Sequence, residues 1–140
     1  MAINWVTEKA QFVSVAIYLR GYGLNPEHVS QVLSVRPSRS QKKGGFRHGS
    51  TKYTAKIGVW TLNIKSKSHS ISELVGTLLQ TIGNPPARLD EIEGVEEAYL
   101  DVFVPLSQHG KIERTLEFAL TRSQIEKLTQ LGLSACFTIS

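Results

Sequence analysis

The sequence predicts a two-layer α+β sandwich, a mainly antiparallel sheet of about five strands with three helices on one face. Two periodicities alternate along the chain. Apolar residues recur at every second position in some segments, as half-buried strands require, and at three- and four-residue spacings in others, as amphipathic helices require. Their order is β-α-β-α-β-β-α-β. Three helices with one apolar stripe each must bury those stripes together, and one face of a sheet accommodates them. At 140 residues and 41% hydrophobic content, the chain suits a single domain over residues 1–140, with residues 1–10 as a tail or an extra edge element.

The first strand starts at Phe12, with Val13, Val15, Ile17 and Leu19 on one side and Ser14 and Arg20 on the other, and Gly21-Tyr22-Gly23 ends it. Asn25-Pro26-Glu27 opens a helix, since Asn caps free amides and Pro suits the first helical position. Val29, Val32 and Leu33 form its stripe, and Pro37 is expected to stop it. A long polar stretch from Ser38 to Thr54 reads as a loop, followed by a strand over Ile57 to Ile64 with Trp60, Leu62 and Ile64 inward. Ser70 and Glu73 have capping-box spacing ahead of Leu74, Val75, Leu78, Leu79 and Ile82.

After an acidic connector, Ala98, Leu100, Val102 and Val104 mark a third strand, and Leu116, Phe118 and Leu120 a fourth, joined to it as a hairpin through Pro105 to Gly110. Thr121 and Gln124 repeat the capping spacing; Ile125, Leu128 and Leu131 form the stripe, and Gly132 is placed to close the helix in the left-handed conformation. Leu133, Ala135, Phe137 and Ile139 form the final strand. Cys136, the single cysteine, rules out an internal disulfide and reads as an inert thiol packed beside Phe137.

No apolar run approaches the length of about 18 residues that a membrane span needs, and the N-terminus lacks the basic and apolar regions of a secretory signal. The expectation is a cytoplasmic protein with no membrane association. Charge is distributed unevenly. From His28 to Ser72 there are nine basic residues and no acidic one, whereas Asp90 to Asp101 holds six acids and no base. The basic loop, residues 36–56, offers Arg36, Arg39, Lys42, Lys43, Arg47 and Lys52 to a phosphate backbone, with Phe46 and Tyr53 to stack on unpaired bases. Against that, a solvated connection is polar simply because it lies in water, and its cations offset the acidic stretch at long range.

Catalytic and metal-site patterns do not emerge. Gly44 to Thr51 has P-loop-like glycine spacing, but Ser50 stands where the phosphate-reaching lysine belongs, and a strand follows instead of a helix. His28, His48, His69 and His109 are scattered without ligand spacing, the acids around Glu91 and Glu93 lack a calcium-loop pattern, and no serine has a nucleophile-elbow signature. No catalytic residue, metal or cofactor is expected.

Leu24-Asn25-Pro26-Glu27 after the opening strand, Val35-Arg36-Pro37-Ser38 after the first helix, Lys43-Gly44, Gly58-Val59-Trp60-Thr61-Leu62 and Leu128-Thr129-Gln130-Leu131-Gly132-Leu133 occur in an order that resembles the bacterial family known as domain of unknown function 4279. The likeness runs from Phe12 to Ile139, with a departure over Gln108 to Glu113. It implies a small bacterial α+β protein and supplies no established activity, substrate or catalytic residues to carry over to this chain. By analogy with other small domains, it implies a binding role such as that of an immunity or accessory protein. Two functions are carried forward: a non-enzymatic protein-binding module, and an anion or nucleic-acid binder acting through the basic loop.

Overall fold

A central strand whose every second residue from Val13 to Leu19 is a large apolar one organises the molecule. This strand, β1 (Val13–Gly21), pairs antiparallel with both β3 (Gly58–Ser66) and β4 (Glu97–Val104). The computed structural model describes residues 12–44, 56–67, 70–105 and 119–139. In these, β2 (Arg39–Gln41) adds antiparallel to β3, and β5 (Ser134–Ile139) adds parallel to β4, giving a mixed sheet in the order β2-β3-β1-β4-β5. Three helices complete the α+β fold: α1 (Pro26–Leu33), α2 (Ile71–Ile82) and α3 (Arg122–Leu131).

Register turns the alternation of β1 into a core. Val15 lies between Ile64 and Val102, Ile17 between Leu62 and Leu100, and Leu19 between Trp60 and Ala98. Val15, Ile17, Leu19, Trp60, Leu100 and Val102 are all fully buried. The helices supply Val29 and Leu33, then Leu74, Val75, Leu78 and Ile82, then Leu128 and Leu131, to the same cluster. Each fully buried aliphatic side chain contributes about 1.5–3 kcal/mol, so this one face carries most of the hydrophobic stabilisation. Trp60 remains inside because its indole N–H donates to Ser30 Oγ at 3.1 Å, which also ties β3 to α1.

The helix starts follow the sequence closely. Asn25 Oδ1 accepts from the Glu27 N–H, and Ser70 with Glu73 and Thr121 with Gln124 form complete capping boxes. Gly132 closes α3 at a φ of 74°. Other expectations are corrected. Ser34, left-handed at φ 55°, ends α1 before Pro37 is reached, so the proline follows a helix already closed. The Ser38 to Thr54 stretch is not wholly a loop, since it contains β2. Ile125 does not join the buried stripe of α3; it is 52% exposed, and Leu128 and Leu131 alone are buried there. Phe137 and Ile139 of β5 are likewise exposed, and so is Cys136; this strand is the outermost of the described sheet. The fourth strand expected over Leu116 to Phe118 and its hairpin through residues 106–110 lie outside the described residues, as do residues 1–10; Ala119 and Leu120 are described and are not in a strand.

Close backbone contact locks one end of the central pair. The Glu96 N–H donates to the Arg20 carbonyl at 2.8 Å, and the Glu96 carboxylate accepts from the Tyr22 N–H at 2.6 Å. Gly94 makes this possible, because it holds a φ of 87° while lying against the Gly23 backbone. Gly44 has a similar φ of 84° but open space around it. Gly94→Ala is therefore expected to cost at least about 2 kcal/mol through strain plus collision, and Gly44→Ala about 1 kcal/mol through strain alone. Urea unfolding of the two variants measures the difference.

Candidate binding surface

The helices occupy one face of the sheet, so the even-numbered residues of β1 must point to the other. Paired register arranges that second face in rows across the strands. Arg39, Thr61, Tyr18, Tyr99 and Ser134 form one row; Gln41, Val59, Arg20 and Glu97 form the next; on the other side come Asn63, Ala16, Asp101 and Cys136. A shallow depression of about 810 Å³ opens over these rows. Its lining comes from strands alone, and no described helix contributes to it.

At its centre the Tyr18 and Tyr99 rings stack across β1 and β4, with centroids 5.3 Å apart and planes 14° from parallel. Such a cross-strand aromatic pair stabilises the sheet by about 0.2–1 kcal/mol and fixes both rings upright on it. Burial pushes the Tyr99 phenol above its ordinary value, while the hydrogen bond and positive charge of Arg20 pull it back down. Arg20 also faces Glu97 at 3.8 Å, a largely exposed pair that contributes little to stability. Asp101 accepts from the Thr138 hydroxyl at 3.4 Å and makes no ion pair among the described residues. Opposite Tyr18 on β3, Thr61 is only 3% exposed, and its hydroxyl has no hydrogen-bond partner among the described residues.

The basic residues singled out in the sequence divide. Arg39 joins the depression from β2. Arg36, Lys42 and Lys43 are exposed beside that edge strand, and Lys43 Nζ sits 5.4 Å from the centroid of the Tyr22 ring. Arg47, Lys52, Phe46 and Tyr53 lie outside the described residues. No ion pair among the described residues joins Arg36, Arg39, Lys42 or Lys43 to the acidic stretch. Within that stretch Asp90 and Glu91 pair with Arg88, and Glu97 with Arg20. Sequence reasoning passed over Tyr18, Tyr99 and Asp101. Their signal was available as aromatic and acidic residues at the polar positions of strands whose other positions are apolar. Cys136, expected to be packed, instead stands exposed in the Asp101 row.

A family model described as domain of unknown function matches residues 10–140, nearly the whole chain. The chain belongs to the DUF4279 family. No curated protein and no solved structure matches it. In this DUF4279 domain no group of His, Cys, Asp and Glu suited to a metal ion occurs among the described residues, and no described helix is long and apolar enough to cross a membrane.

Two outcomes are expected from this surface. A neutral phenol held by burial contributes stability that is fully present below the ordinary value of 10.0 and is lost as pH rises through the raised one. Tyr99→Phe should therefore lose less stability than the wild type above pH 10.0, as read by urea unfolding across alkaline pH. Replacing the Thr61 hydroxyl by a methyl removes an unsatisfied buried group, so Thr61→Val should stabilise the domain by about 1 kcal/mol, seen as a higher Tm.

Proposed function

We propose that this DUF4279 domain is a non-enzymatic protein-binding module of the bacterial cytoplasm, of accessory or immunity type, whose partner docks on the open face of the sheet. The observation that carries the reading is the stacked Tyr18–Tyr99 pair, at the centre of a face that no described helix covers. Upright aromatic rings present large, rigid contact area at little entropic cost, and tyrosines near the middle of an interface are frequent hot spots. Arg20 and Arg39 against Glu97 and Asp101 give the face both signs of charge, which suits selective protein contact. A face built for a polyanion would not place two carboxylates there.

Affinity capture with the wild type and with Tyr99→Ala tests this reading. A stoichiometric protein partner should be retained by the wild type and bound at least about 30-fold more weakly by the variant, with far-UV circular dichroism unchanged. Equal retention by both would remove the tyrosines from the interface.

A second reading, anion or nucleic-acid binding through the basic loop, is favoured by a different observation. Arg36, Arg39, Lys42 and Lys43 line one sheet edge without ion pairs among the described residues. It requires that a labelled oligonucleotide bind with a steep salt dependence, which Lys42→Ala with Lys43→Ala flattens. No retention at low salt ends it.

A further inference from the structure

The open face is electrically polar along a single direction. Its basic side is the β2 edge, where Arg39 is flanked along the chain by Arg36, Lys42 and Lys43. Its acidic side is β4, with Glu97 and Asp101 on the face and Glu96 just before it. β3 and β1 separate the two sides, a distance of three strand spacings or about 14 Å, so within one chain these charges do not meet. That spacing leaves Arg39 and Asp101 each without an ion partner among the described residues.

We infer that the occupant of this face is a second copy of the same chain, packed sheet against sheet about a two-fold axis that runs between β3 and β1 in the plane of the contact. The inference rests on the protein-binding reading of the same face and names the partner. A closed dimer places one patch on itself, so the patch must be self-complementary about the axis. Rotation about this axis exchanges β2 with β4 and β3 with β1. Arg39 of one copy then stands over Tyr99 on β4 of the other, with Asp101 two residues farther along that strand and within reach of the long arginine side chain. Gln41 comes over Glu97, and Tyr18 over the row position of Thr61. Every contact occurs twice, so both basic edges lie on acidic strands.

A foreign protein would need the same pattern of opposed charge, which a second copy already carries. Polyanions are disfavoured because Glu97 and Asp101 share the face with the arginines. Four strands of one sheet make a contact at the small end of stable interfaces, so the dimer is expected to be reversible and sensitive to salt.

Sedimentation equilibrium of the full chain over a wide concentration range, at low and at high salt, tests the inference. The wild type should dimerise at low salt and weaken as salt rises. Arg39→Glu and Asp101→Arg should each lower the dimerisation constant by at least about tenfold, and combining them should restore it, because the swapped charges again face each other. Circular dichroism establishes that each variant is folded, and the salt titration of the wild type stands independently of the variants. A chain that stays monomeric at every concentration overturns the inference, and so does a dimer indifferent to both substitutions. A monomer that captures a different protein in a Tyr99-dependent way also overturns it, while leaving the protein-binding reading intact.

Discussion

Everything in this fold depends on the register of β1 against its two neighbours. With Ile17 opposite both Leu62 and Leu100, the apolar positions of three strands coincide on one face, and the helices have a continuous surface to cover. The same register places Tyr18 opposite Tyr99 on the other face. A slip of β1 by one residue would exchange its two sets, moving Tyr18 and Arg20 into the core and Val15, Ile17 and Leu19 into water. The hydrophobic cost of that exchange, several buried aliphatic side chains at about 1.5–3 kcal/mol each, is what holds the polar face in its arrangement. The interlocked backbone at Gly94 and Glu96 fixes the starting point of the register.

Because the helices satisfy one face only, the other is left to its polar side chains, and its chemistry is decided by which residues the sequence supplies at alternate positions. Those residues are not randomly signed. The acid-free stretch feeds the β2 edge, and the base-free stretch feeds β4, so an asymmetry in the sequence becomes a charge gradient across the sheet. Balanced charge around a tyrosine pair is the property on which the binding proposals rest.

The fold was legible wherever one face of an element is buried. Strands β1, β3 and β4 announce themselves by alternation, and α2 and α3 by capping boxes that the structure reproduces bond for bond. Short, polar or edge elements were not legible. β2 has three residues, none apolar, and is held by backbone pairing with β3, which leaves no pattern to read. Ser34 adopts a left-handed conformation without the glycine that would signal it. Phe137 and Ile139 alternate like a core strand yet lie on the outermost strand of the described sheet, and that position is a property of topology. For the same reason the binding surface was only partly visible. Arg39 stands out in the sequence as one cation of the basic loop, but the meeting of Tyr18 with Tyr99 spans 81 positions of sequence and follows from strand pairing alone.

Nuclear Overhauser contacts of the Tyr18 ring provide the most direct test of this arrangement. Contacts to the Tyr99 ring and to Thr61, with none to the methyl groups of Val75 or Leu78 in α2, are expected from the paired register. Contacts from Tyr18 to those helix methyls would place the ring on the helical side of the sheet and contradict the account at its base.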